Sequence, residues 1–69
     1  MYTILDDHGE VKANISKESV KDLLKYRKGC VKVFKNFGRE YIQVTRKFDF
    51  DYGFVRLSCH PNYFIREEL

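Results

Sequence analysis

The sequence predicts an α+β fold: an N-terminal β-hairpin and one α-helix packed on a three-stranded antiparallel β-meander. Three observations lead there. Between Cys30 and Cys59 most apolar and aromatic side chains alternate with polar ones, the pattern of half-buried strands. Two glycine-bearing breaks, Asn36-Phe37-Gly38 and Asp51-Tyr52-Gly53, divide that stretch into three. Between Ser16 and Lys28 the apolar period changes to that of a helix.

In chain order, Met1 to Leu5 is a short apolar run, Asp6-Asp7-His8-Gly9 has turn chemistry, and Glu10 to Ile15 alternates with Val11, Ala13 and Ile15 on one side. These predict the first hairpin, with His8 an exposed turn residue. Ser16 then suits an N-cap, because its hydroxyl can accept from free N–H groups of the first helical turn, and Glu18 suits the positive end of the helix dipole. Val20, Leu23 and Leu24 form the stripe to be buried, and Gly29 is the expected C′ stop. On the outer stripe Lys17, Lys21, Lys25 and Lys28 recur at spacings of four, four and three. Like charges so placed repel by a few tenths of a kcal/mol per pair. The row is either a solvated face or one that meets an anion.

In the meander, side chains alternate faces, so register can be tested by asking which loop length sets apolar residues opposite one another. A four-residue loop from Asn36 to Arg39 places Val33 opposite Ile42 and Val31 opposite Val44. An even loop in the second hairpin keeps Val55, Leu57 and Cys59 on the face of Phe48. The inner face is therefore expected to hold Val31, Val33, Ile42, Val44, Phe48, Val55, Leu57 and Cys59, with Arg46 at the sheet margin. The opposite face carries Lys32, Phe34, Tyr41, Gln43, Thr45, Lys47, Arg56, Ser58 and His60. After Pro61, Asn62 either caps a short helix or the following residues add a strand at the sheet edge. The apolar Tyr63, Phe64, Ile65 and Leu69 argue that this tail is docked.

A chain of 69 residues is one domain, near the size at which a single core barely offsets chain entropy, so a second copy or a partner is expected to contribute. Hydrophobic residues make up 43% and charged ones 33%, enough apolar material to exclude a disordered chain. No apolar run is long enough for a membrane span or a signal-peptide core, so no membrane partner and a cytoplasmic location are expected. Two cysteines without a spacing signature fit free thiols in a reducing compartment. The net charge of +3 conceals a gradient, because Val11 to Lys47 holds eleven basic residues against three acidic ones while both ends are acidic.

Catalytic chemistry has no clear carrier. Cys59 and His60 are adjacent on a strand and so point to opposite faces, which prevents a thiolate–imidazolium pair between them. There is no metal-ligand spacing, no Gly-rich phosphate loop and no carboxylate pair in a general-acid setting, so neither cofactor nor metal is expected. Asp49 and Asp51 flank a turn and are explained by turn chemistry. Tyr52-Gly53-Phe54-Val55 resembles the centre of the aromatic signature of RNA-recognition-motif domains. The likeness covers four residues, and Phe50, Asp51 and Leu57 stand where that signature has other types, so no family is assigned.

What remains is a non-enzymatic binding module. Lys32, Phe34, Tyr41, Lys47 and Arg56 on the open sheet face, with Lys17, Lys21 and Lys25 on the helix, are the candidate contacts to nucleic acid, through stacking and phosphate neutralisation. The alternative is a small inhibitor or adaptor of the phage type docking on an acidic protein. An enzyme is the third reading, and beside these stands the reading in which the open face simply lies on a homodimer.

Overall fold

The computed structural model describes residues 1–68. It is α+β, with strands β1 (Tyr2–Leu5) and β2 (Val11–Ile15), helix α1 (Lys17–Tyr26), a 3₁₀ turn (Lys28–Cys30), then β3 (Val31–Asn36), β4 (Arg39–Val44), β5 (Phe48–Tyr52), β6 (Val55–Cys59) and β7 (Phe64–Glu67). The expected three-strand meander does not form. Five strands make one antiparallel sheet in the order β2-β1-β7-β4-β3, and β5 and β6 pair only with each other.

The first hairpin is built as its sequence implies. Asp6 accepts from the N–H groups of His8 (2.9 Å) and Glu10 (2.8 Å), an Asx-type turn, while Gly9 takes a left-handed φ of 80°. A bulge falls where Leu5 comes opposite Val11. Ser16 caps α1 by accepting from Ser19 N–H at 3.2 Å. The helix ends at Tyr26, earlier than expected, with Arg27 N–H donating to Leu23 O. Gly29 is not the left-handed stop, because the chain passes into the 3₁₀ turn instead. Since β2 and β3 are the two edges of the sheet, α1 crosses over β1, β7 and β4 between them. It buries Val20 and Leu23 and half-buries Leu24.

The β3–β4 ladder has the expected register, with Val31 opposite Val44, Val33 opposite Ile42 and Phe34 opposite Tyr41. It runs on to Asn36 opposite Arg39, so the loop is two residues, Phe37-Gly38, and not four. Both have positive φ, the type I′ arrangement that suits the twist of a hairpin. The β5–β6 pair is likewise closed by two residues, Gly53-Phe54, with Phe48 opposite Cys59 and Phe50 opposite Leu57.

The meander is broken by the tail. His60-Pro61-Asn62-Tyr63 is a reverse turn, with Tyr63 N–H donating to His60 O and Asn62 at φ 78°. Val44 N–H then bonds Tyr63 O, and β7 enters between β1 and β4, a central place rather than the expected edge. The hydrogen-bonding edge of β4 that β5 would have used is occupied. The β5–β6 hairpin is therefore an excursion between β4 and β7, begun by the exposed Thr45-Arg46-Lys47 link, and Arg46 is in this link rather than on a sheet margin. Leu69 lies outside the described residues.

One buried cluster joins Ile4, Ala13, Ile15, Ile42, Val44 and Ile65 from one face of the sheet to Val20 and Leu23 of α1 and Phe48, Phe50 and Cys59 of the hairpin. Of the expected core, Ile42, Val44, Val20 and Leu23 are buried, and Val31, Leu24 and Leu57 are half-buried. Val33 and Val55 are exposed, at 49% and 51%. Val33 has the expected facing but sits on edge strand β3, and Val55 closes the free end of a hairpin. At one end of the core the Tyr2 hydroxyl donates to Glu40 (3.1 Å), and burial, with the carboxylates of Glu40 and Glu67, pushes its pKa up to about 12. Cys30 and Cys59 are both free thiols.

Candidate functional site

Helix α1 and the β5–β6 hairpin both pack on the sheet face that carries Ile4, Ile42 and Ile65, so the opposite face has no covering layer. Parity and register place Leu5, Phe64, Tyr41 and Phe34 on that open face, running from β1 through β7 and β4 to β3. Phe34 and Tyr41 stack across the strands, with ring centroids 5.5 Å apart and planes 12° from parallel. A shallow hollow of about 330 Å³ is lined by these four apolar residues together with Asp6, Asp7, Gly9 and Asn36. Asp6 is not a free base at its rim. Burial works against ionisation, but the two backbone donors, with Lys12 and His8, outweigh it and hold the carboxyl below its ordinary value.

The expected contacts divide into three groups. Lys32, Phe34 and Tyr41 share the open face, Lys32 being opposite Gln43. Lys47 is not on it, because the link has left the sheet. Cys30 O, however, accepts from Thr45 N–H (2.8 Å) and Arg46 N–H (3.2 Å), which holds the link beside Cys30 at the start of β3, two residues after Lys28. Arg56 is on the two-stranded hairpin, paired with Asp49 at 2.9 Å and with Asp51 at 3.9 Å, so its placement on the aromatic face is corrected. Ser58 and Arg56 both donate to Asp49 and hold its carboxyl below the ordinary value. Lys17, Lys21 and Lys25 are exposed on α1, across the sheet from Phe34 and Tyr41. One short ligand segment cannot touch both.

Ion pairing is uneven. Among the described residues, every Lys and Arg from Lys17 to Lys47 except Arg39 lacks a carboxylate within 4.0 Å, whereas Lys12 and Arg56 each have two and Arg39 and Arg66 one. Glu68 lies between Arg66 (2.7 Å) and Arg39 (3.7 Å), and Arg66 holds its carboxyl below the ordinary value. Of the cations from Lys17 to Lys47, Lys32 is on the open face itself, while Arg46 and Lys47 stand at the end of the sheet where β3 begins. Phe64 and Arg66 were not found from the sequence because the tail had no assigned place; the Pro61-Asn62 turn before an apolar run was the available signal.

No group of His, Cys, Asp and Glu among the described residues is arranged to hold a metal ion, and no described helix is long and apolar enough to cross a membrane. Comparison of the chain with protein-family models, curated proteins and solved structures gives no match, so the site is read from its own geometry.

Proposed function

We propose that this protein is a non-enzymatic module that binds single-stranded nucleic acid on the open sheet face. The observation that carries the reading is the stacked Phe34–Tyr41 pair on an uncovered face, beside Lys32, which has no carboxylate within 4.0 Å among the described residues. Aromatic side chains on a sheet accept any base by its π-face, and nearby lysines hold phosphates as point charges. Lys32 is two residues before Phe34 on the same face, and Lys28, Arg46 and Lys47 continue the charge past the end of β3. A strand of nucleic acid would run along β3 and β4 with its bases toward Phe34 and Tyr41.

The test is titration of a fluorescent mixed-sequence single strand at several salt concentrations. Neutralising about three or four phosphates predicts a slope of log K against log salt of roughly −2 to −3. Phe34→Ala and Tyr41→Ala should each cost roughly 1–3 kcal/mol. Absence of binding at low salt, or binding that both alanine variants retain in full, overturns the reading.

The second reading is a small inhibitor or adaptor of the phage type. It is favoured by the apolar lining of the hollow and by Asp6 and Asp7 at its rim, where a phosphate would be repelled. An acidic protein partner would then meet the Lys28–Lys32–Arg46–Lys47 margin and seat an apolar side chain in the hollow. A defined stoichiometric protein complex, in a chain that ignores oligonucleotides, would select it.

A further inference from the structure

We infer that Phe37, at the tip of the β3–β4 hairpin, is a further base-stacking residue of this interface; the inference rests on the nucleic-acid reading above. Two observations single it out. The first is conformational: Phe37 has φ 53° and Gly38 φ 76°, so a bulky aromatic occupies the first central position of a type I′ turn, where Asn, Asp or Gly is the comfortable occupant. Left-handed backbone at a large side chain is strained, and such strain persists where something other than local preference selects the residue. The second is exposure. Phe37 is 89% exposed, so its ring makes no packing contribution to offset that strain.

The other two-residue hairpin supplies the comparison. At Gly53-Phe54 the glycine takes the left-handed position, φ 65°, and Phe54 is not among the positive-φ residues. An aromatic at a hairpin tip therefore does not require strain. Phe37 carries it and Phe54 does not.

Position gives the function. Phe37 continues the strand that bears Phe34, three residues on, which at strand rise is roughly 10 Å along the hairpin. Asn36, which lines the hollow with Phe34 and Tyr41, lies between them, while Lys35 turns to the other face of the strand. A single strand whose first bases stack at Phe34 and Tyr41 would meet the Phe37 ring at the end of the hairpin as its path leaves the protein. A duplex, whose bases are already stacked, could not use it.

Anisotropy titrations of a labelled mixed-sequence single-stranded DNA against the whole chain, with thermal melts of each variant, test this. Phe37→Ala should weaken binding about five- to tenfold, toward the lower end of the stacking range because the tip is open. Phe37→Asn should weaken it equally while raising Tm, since Asn relieves the turn. Phe54→Ala should bind as wild type, and an abasic strand of the same length should not distinguish Phe37→Ala from wild type. If Phe34→Ala and Tyr41→Ala weaken binding but both Phe37 variants bind normally, the inference is overturned and the interface stands. Equal losses at Phe54 and Phe37, or a lower Tm for Phe37→Asn, overturn it as well. A wild-type chain that binds no strand at low salt overturns the interface and this inference together.

Discussion

Ile65→Ala is expected to be among the most damaging single truncations in this chain, and the reason is the unexpected place of β7. Ile4, Ile65 and Ile42 stand side by side on β1, β7 and β4, and each is 0% exposed. Truncation removes three carbon atoms, each worth about 0.8 kcal/mol of transfer from water, so the transfer loss is about 2.4 kcal/mol. A cavity among β1, β4 and α1 adds to it, giving about 3–4 kcal/mol, within the range for buried Ile to Ala. Against a total stability of roughly 4–10 kcal/mol for a domain of this length, that is a large fraction. Val33→Ala, which removes a half-exposed side chain from an edge strand, should cost less than about 1 kcal/mol. Urea unfolding followed by circular dichroism gives both values. If Val33→Ala cost more than Ile65→Ala, β7 would not be central and the three-strand meander would be the better description.

Three further outcomes are expected. Burial, with Asp49 nearby, pushes the Cys59 thiol up to about 11, so a thiol reagent at pH 8 should titrate Cys30 quickly and Cys59 only after denaturant is added; two fast thiols would contradict the core. The Asp6 carboxyl is held below its ordinary value, so its contribution is complete above that ordinary value and is lost as pH falls through the depressed one; Asp6→Asn should flatten the acid limb of the stability–pH curve, and an unchanged limb would remove Asp6 from the turn. Changing Lys17, Lys21 and Lys25 together to Gln should leave the fold intact and, at physiological salt, weaken single-strand binding less than Lys32→Ala does, because the helix is across the sheet and the Debye length is about 8 Å. A larger effect from the helix variant would move the interface to α1.

The sequence-derived reading succeeded where side-chain parity alone decides. The register of Phe34 against Tyr41 and of Val33 against Ile42 depends on a hairpin centred between Phe37 and Gly38, which a four-residue Asn36–Arg39 loop and the two-residue Phe37-Gly38 turn satisfy alike. Phe48, Leu57, Val55 and Cys59 share a hairpin face for the same reason. Parity is silent on which strands are neighbours. Pairing β5 with β4 assumed that consecutive strands lie side by side, a tendency rather than a rule, and the short β7 displaced it. Once the meander was lost, Arg56 left the aromatic face and Lys47 moved to the margin, while Val33 kept its facing but not its cover. Phe64 and Arg66 came onto the face with β7.

The central claim, that the uncovered face of the five-stranded sheet binds single-stranded nucleic acid, is tested most directly by two-dimensional amide NMR of the labelled chain titrated with a short mixed-sequence strand. The account predicts that the shifts concentrate on Lys32, Phe34, Tyr41, Gln43 and Phe64 and at the Lys28–Arg46 margin, saturate with added strand, and spare β5, β6 and the exposed stripe of α1. Shifts confined to Lys17, Lys21 and Lys25, or spread evenly over all exposed lysines, would contradict it.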